Sequence, residues 1–263
     1  MHGFIGAGKM GEAILAGMIR GGVCAGHEIG VCDLAVARVQ ELVAQYGVCA
    51  FSSNRELAAR CETILLAVKP QDLDSVLRDV ACHARGKCVI SLAAGKELAG
   101  LEACLPGARI IRVMPNLACQ VGAGMSVLCG GRGVTDHDVA VAKRIFAASG
   151  LVCEAPESDF DMVTAISGSG PAFWTQLAAY EMQQAVASGV EPETARMLVL
   201  QTMLGTARVL LETRQDFQSF MDAVASKGGT TAAGLAVLRD SAAQGILADV
   251  LHAAAKRSQE LRN

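Results

Sequence analysis

Charge is scarce in this 263-residue chain and nearly balanced in sign. Asp, Glu, Lys and Arg make up 19% of it, and 26 acidic against 23 basic residues leave a formal net charge of −3, with an isoelectric point near 6.0. This excludes the broad basic field with which proteins hold nucleic acid or anionic membrane without regard to sequence. Small molecules are the expected partners. The ten cysteines, at 24, 32, 49, 61, 82, 88, 104, 119, 129 and 153, contain no Cys-x-x-Cys pair, and no metal site is expected. Several lie in apolar, strand-like stretches such as Gly30 to Cys32 and Lys87 to Val89, where a reduced thiol behaves as a small hydrophobe. The chain also lacks an internal repeat, a low-complexity tract and a disordered linker.

Continuous apolar runs of membrane length are missing as well, although hydrophobic residues make up 52% of the chain and mean hydropathy is +0.36. Two uncharged runs are long enough to test. Val113 to Gly131 is broken by Pro115, Asn116, Gln120 and several glycines, and Met162 to Tyr180 by the Ser-Gly-Ser-Gly-Pro of 167–171, so neither reads as a spanning helix. Residues 1–8 run into a glycine-rich turn without the basic start and apolar core of a signal peptide. The expected compartment is the cytoplasm, with no contact with membrane.

What the chain does have is alternation. Up to about residue 155, short β-branched runs (3–5, 29–32, 63–68, 88–92 and 109–114) are separated by stretches of helical spacing such as 12–20, 35–46 and 73–83. That pattern predicts an α/β domain with a parallel sheet covered on both faces. From about residue 158 the strand signals stop, and patterns such as 172–188 and 192–212 read as helices. All ten cysteines precede residue 154, so the chain divides into 1–156 and an all-helical 157–263.

The first chemical signal is Gly6, Ala7, Gly8, Lys9, Met10, Gly11, a Gly-x-Gly-x-x-Gly that follows a strand and opens a helix. Gly6 permits the tight turn, Gly8 lets a pyrophosphate reach the backbone, and Gly11 lets the helix pack close; free N–H groups at the helix start attract phosphate. The second strand ends at Asp33, 22 residues after Gly11, where a carboxylate can accept from the adenosine ribose. Such a carboxylate repels a 2′-phosphate and favours NAD, and no arginine follows it directly, although Arg38 is within reach. Val68, Lys69 and Pro70 stand at the carboxyl end of a buried strand, the edge where open α/β sheets bind ligands; Lys69 reads either as a ligand contact or as a solvated loop residue.

In the second region, Ser167 to Trp174 reads as a helix start whose small residues allow close packing. Later comes Ser226, Lys227, Gly228, Gly229, Thr230, Thr231. Glycines there can expose successive N–H groups and threonine hydroxyls can cap the helix, so the loop suits a small anion such as a carboxylate, or is an ordinary capped helix start. No histidine among His2, His27, His83, His137 and His252 is placed to act as a catalytic acid.

Six motifs in order carry a family resemblance: Gly6 to Gly11, Val68 to Gln71, Arg112 to Asn116, Ser167 to Ala172, Gln201 to Ala207 and Ser226 to Thr231. Together they resemble pyrroline-5-carboxylate reductase along nearly the whole chain. The resemblance implies reduction of 1-pyrroline-5-carboxylate to L-proline by NADPH or NADH. It also implies a Rossmann-like doubly wound domain followed by a helical domain that interlocks in a homodimer, with dimers sometimes assembled into rings. By the same resemblance, Gly6 to Gly11 hold the pyrophosphate, Asn54 lies near the adenosine ribose, and Val68, Lys69 and Pro70 with Ala93, Ala94 and Asn116 line the nicotinamide end. Ser226, Gly228, Gly229, Thr230 and Thr231 take the substrate, with the Thr231 hydroxyl on its ring nitrogen as the catalytic contact. Lys227 stands where the family usually has proline, and Leu117 and Ala118 replace its Thr-Pro. Two other readings compete: a β-hydroxyacid dehydrogenase, which would need a catalytic lysine that Phe173 to Tyr180 does not offer, and a non-catalytic dinucleotide sensor, which would need no second anion loop.

Overall fold

A computed structural model of the chain describes residues 1–261. Eight strands form one sheet: β1 (His2–Ile5), β2 (Ile29–Cys32), β3 (Cys49–Ala50), β4 (Thr63–Leu66), β5 (Cys88–Ser91), β6 (Arg109–Met114), β7 (Gly124–Gly130) and β8 (Gly150–Glu154), in the order β3-β2-β1-β4-β5-β6-β7-β8. Every neighbouring pair is parallel except β6 with β7. The five apolar runs read from the sequence are all strands. β3, β7 and β8 were not expected; β3 extends the parallel sheet, while β7 and β8, running against the other six strands, make it mixed. β7 lies in the uncharged run 113–131, where Gly124 and Ser126 weaken the apolar signal.

The helices of this region are α1 (Lys9–Arg20), α2 (Val36–Tyr46), α3 (Asn54–Arg60), α4 (Leu73–Ala84), α5 (Leu98–Cys104) and α6 (Asp136–Ala147). Because side chains alternate across a strand, each buried strand feeds two cores. Phe4, Ile29, Val31, Leu65, Ile90 and Ile111 pack with Ile14, Leu15, Leu42 and Phe146 of α1, α2 and α6. Ile5, Ile64, Leu66, Val89 and Ile110 pack with Leu57, Leu73, Leu77, Val80 and Leu101 of α3, α4 and α5. Each such side chain, removed from water, contributes about 1.5–3 kcal/mol. Helices therefore cover both faces. The chain leaves β1 in opposite directions on its two sides, toward β2 and toward β4, which is the switch point where such sheets bind ligands.

Five cysteines, 32, 61, 88, 119 and 129, are buried, and all ten are free thiols. Burial pushes the Cys88 and Cys129 thiols up to about 12 and that of Cys61 to about 11. The expectation of burial fails for Cys82, Cys104 and Cys153, which are exposed on the outer sides of α4, α5 and β8.

After β8 the chain is helical: α7 (Phe160–Val163), α8 (Gly170–Ala187), α9 (Pro192–Thr213), α10 (Phe217–Val224), α11 (Thr230–Asp240) and α12 (Ala243–Glu260). The expected helix start is present: α8 opens at Gly170 with Pro171 in its first turn, and just before it Thr164–Gly168 form a π-turn that continues α7. The Ser169 N–H reaches back to the Thr164 carbonyl at 2.8 Å. Gly168 does pack closely, but on a strand side chain rather than on another helix: a Cβ there would sit 2.5 Å from Cε of Met114 on β6. Compact units divide the chain at other points than 156. One comprises Met1–Pro171 with the end of α12 from His252, and the other Ala172–Leu251. Phe160 belongs to the core of the sheet, Arg112 lies over its ring at 4.7 Å and donates to Glu157 at 3.0 Å, and Ser258 donates to the buried Asp161 at 2.8 Å. Among the described residues no helix is long and apolar enough to cross a membrane.

Candidate dinucleotide and substrate sites

Register sets the first site. Cys32, Ile5, Leu66, Ser91 and Arg112 form one row across β2, β1, β4, β5 and β6. The residues that follow the row, Gly6, Asp33, Val68, Lys69, Ala93, Ala94 and Asn116, all leave the same edge of the sheet. Gly6, Gly8, Asp33, Asn54, Val68 and Lys69 line a single cavity of about 370 Å³ at that edge.

The three glycines of the loop have three different reasons. Gly6 has φ +105°, and a Cβ there would lie 2.6 Å from the Ala67 carbonyl oxygen, so only glycine fits. Gly11 packs directly on the Gly6 carbonyl oxygen, and a Cβ at Gly8 would meet nothing within 4 Å. The open side of the loop is therefore at Gly8, which is also the N-cap of α1 and supplies no side-chain cap. A helix start left uncapped beside an open backbone suits a pyrophosphate. Ala7 is buried, Met10 packs against the core, and Lys9 is exposed at the first position of α1.

Asp33 is held by backbone on both oxygens. The Ala7 N–H donates to it at 2.6 Å and the Ala35 N–H at 2.8 Å. Arg38 turns toward the loop, giving its Nε–H to the Ala7 carbonyl at 3.1 Å while its terminal nitrogens pair with Glu12 and Glu41. On the opposite wall Asn54 donates to Asp79 at 3.0 Å. Asp72, Ser75, Val76 and Asp79 also line the cavity, and the sequence reading missed them. Their spacing puts them on one face of the turn and helix that follow Pro70, a signal that was open to it.

Pro70 opens a short 3₁₀ turn, Pro70–Asp72, with Lys69 as its N-cap. Ala93 is buried and its N–H approaches Ser91 Oγ at 3.4 Å, and Asn116 accepts from the Met125 N–H at 3.1 Å. Pro70, Ala93, Ala94 and Asn116 are not in the wall of the cavity that holds Gly8 and Asp33.

The second loop lies in the helical unit. Gly228 has φ +72°, the Gly229 N–H closes a turn on the Ser226 carbonyl at 2.9 Å, and α11 begins at Thr230. The expected threonine cap is absent. The N-cap is Gly229 and no side chain caps the helix, because both threonines lie inside the first turn. The first N–H groups of α11 are thus left without a hydroxyl partner, as an anion would need them. Ser226, Lys227 and Thr230 are exposed and Thr231 is half-buried.

Comparison with known proteins matches both regions. A family model described as "Pyrroline-5-carboxylate reductase dimerisation" matches residues 157–261, and one described as "NADP oxidoreductase coenzyme F420-dependent" matches residues 2–95. The chain is 42% identical over 259 residues to a pyrroline-5-carboxylate reductase of Synechocystis, covering 98% of this chain and 97% of the relative. A Methanosarcina acetivorans protein of the same name is 38% identical, with 98% and 97% covered. Among solved structures, a pyrroline-5-carboxylate reductase from Coxiella burnetii superposes with a TM-score of 0.95 at 32% identity, covering 100% of this chain and 98% of that one. A Plasmodium falciparum pyrroline carboxylate reductase with NADP bound superposes with 0.86 at 30% identity, over 100% and 98%.

Proposed function

The chain belongs to the pyrroline-5-carboxylate reductase family, and we propose that its NAD(P)H-dependent reduction of 1-pyrroline-5-carboxylate to L-proline is divided between its two glycine loops. The observation that carries this reading is the pair of uncapped helix starts, α1 behind Gly8 and α11 behind Gly229, the first of them opening on the cavity that Gly8 and Asp33 line. We assign residues 1–156 to dinucleotide binding and residues from 157 on to substrate binding and dimerisation.

The fit to a dinucleotide rests on the open space at Gly8 and on Asp33 and Asn54 in the same cavity. Gly6 to Gly11 hold the pyrophosphate, Asp33 and Asn54 the adenosine ribose, and Val68, Lys69, Pro70, Ala93, Ala94 and Asn116 the nicotinamide end. When bound, the reduced nicotinamide supplies the hydride that the C=N carbon accepts. The protein's own tasks are orientation and exclusion of water. Backbone N–H groups at Thr230 and Thr231 receive the substrate carboxylate, with Ser226, Gly228 and Gly229 shaping the turn. The Thr231 hydroxyl accepts from the protonated ring nitrogen and keeps the imine in its electrophilic form. Lys227 adds positive charge beside that carboxylate, offsetting the loop freedom that a proline would have removed.

The protein is a homodimer. Trp174, Leu177, Leu198, Leu204 and Leu211 on α8 and α9 are 42–63% exposed in the single chain, an apolar surface of the kind that subunit contact covers. Assembly of dimers into a ring, and a cytoplasmic location in keeping with ten free thiols, belong to the same proposal.

Thr231→Ala tests the division of labour. The expected result is a fall in kcat/KM for the imine of about 100-fold, with dinucleotide affinity within about twofold of the parent. Equal losses in imine turnover and dinucleotide binding would mean that the second loop is not a separate substrate site.

A further inference from the structure

The adenosine side of the cavity is built from carboxylates. Asp33 is fixed at the end of β2 by the N–H groups of Ala7 and Ala35, at 2.6 and 2.8 Å. A carboxylate has about four lone-pair positions, so two remain for the 2′- and 3′-hydroxyls of an unphosphorylated ribose. Asp79 and Asp72 line the same cavity. Their field is registered at Cys32, whose thiol is pushed up by burial and then by the charges of Asp33, Asp79 and Glu56. Leu34, directly after Asp33, is 97% exposed and has no hydrogen-bond donor on its side chain.

Cations that could answer a phosphate there are engaged or elsewhere. Arg38 is the nearest in sequence to Asp33. Its Nε–H is given to the Ala7 carbonyl and its terminal nitrogens to Glu12 and Glu41. Lys9, Arg38 and Arg55 are not in the cavity wall. Lys69 is, but it follows β4, two strands from Asp33, roughly 10 Å in sheet spacing. A 2′-phosphate carries a charge of about −2 near neutral pH. Placed on the ribose held by Asp33 it would face like charge and, among the described residues of the cavity wall, no guanidinium.

We propose that this enzyme takes its hydride from NADH in preference to NADPH, with Asp33 as the discriminating residue and Arg38 withheld from a 2′-phosphate by Glu12 and Glu41. The proposal rests on the reading of this cavity as the dinucleotide site. One relative was solved with NADP bound, so the fold does not decide the matter; the side chains of this chain do.

The test is direct binding without substrate, by titrating the purified protein with NADH and with NADPH and following nicotinamide fluorescence, alongside imine-dependent turnover with each. The parent is expected to bind NADH at least about tenfold more tightly, the factor that corresponds to ~1.4 kcal/mol. Asp33→Ser should narrow or reverse that ratio by weakening NADH and tightening NADPH. Glu12→Gln combined with Glu41→Gln should release Arg38 and tighten NADPH severalfold while leaving NADH nearly unchanged. Equal affinities in the parent, or tighter NADPH, would overturn the proposal even if the variants failed to fold. A folded Asp33→Ser protein with an unchanged ratio would overturn the role of Asp33. Binding of neither nucleotide would overturn the underlying site as well, whereas NADPH turnover as efficient as that with NADH would remove the selectivity alone.

Discussion

Gly11 rests on the carbonyl oxygen of Gly6, with no room between them for a Cβ, while Gly8, midway along the same loop, faces open space. Substitutions should therefore separate folding from binding. Gly6→Ala and Gly11→Ala force the loop apart, a strain that costs about 1–3 kcal/mol and should lower Tm by several degrees. Gly8→Ala should melt with the parent yet bind the dinucleotide at least about tenfold more weakly, because its methyl group occupies the pyrophosphate's approach. Thermal melts with parallel nucleotide titrations check this, and equal melting losses at all three positions would contradict the roles given to them.

The ion pair of Arg109 with the buried Asp138 is structural. Arg109 donates to Asp138 twice, at 2.7 and 3.0 Å, and Asp138 is 3% exposed. The Arg109 guanidinium, followed by the Thr135 hydroxyl and N–H, holds the Asp138 carboxyl well below the usual range against the opposing effect of burial. A depressed folded value means stabilisation that is complete above the unfolded carboxylate range and fades as pH falls below about 4. Asp138→Asn should cost about 3 kcal/mol near neutral pH, and the deficit should shrink at about pH 3. Urea unfolding at both pH values reads it; a deficit independent of pH would show that the charge is not what matters.

Lys87 closes the end of α3. Its Nζ donates to the carbonyls of Ala58, Ala59 and Cys61 at 2.6, 3.1 and 2.8 Å, where helix carbonyls have no other partners. Lys87→Met should cost about 1–3 kcal/mol. Amide exchange should quicken across 54–60, the helix that carries Asn54. Unchanged protection there would mean that the three bonds contribute nothing.

Self-association should be a property of the helical region alone. The parent is expected to sediment at twice the 27.3 kDa chain mass or a multiple of that dimer. Leu198→Glu with Leu204→Glu should dissociate it by burying charge at the contact. A parent that sediments as a monomer would contradict the reading of α8 and α9.

Much of this was legible in the sequence because the signals are local. Five strands and the loop from Gly6 to Gly11 announce themselves by β-branched runs and by glycine spacing, and the largely apolar character of β1, β2, β4 and β5 is what burial on both faces requires. β7 and β8 were hidden because Gly124, Ser126 and Gly150 dilute their apolar pattern, and because antiparallel pairing of β6 with β7 is a tertiary choice. The capping of α11 was misread for a related reason: Thr230 and Thr231 are capping residues by type, and only the backbone reveals that Gly229 holds the cap position. Nor could spacing tell that Arg38 is held by Glu12, 26 residues away, which is the fact that bears on the choice of cofactor.

Imine reduction is the reaction on which every assigned residue role depends. The purified protein, given NADH or NADPH, should oxidise it only when 1-pyrroline-5-carboxylate is present, with saturable rates of about 1–1,000 per second and one L-proline formed for each dinucleotide consumed. A protein that binds dinucleotide but oxidises none of it in the presence of the imine would contradict the assignment, and would leave the chain as a sensor built on a reductase fold.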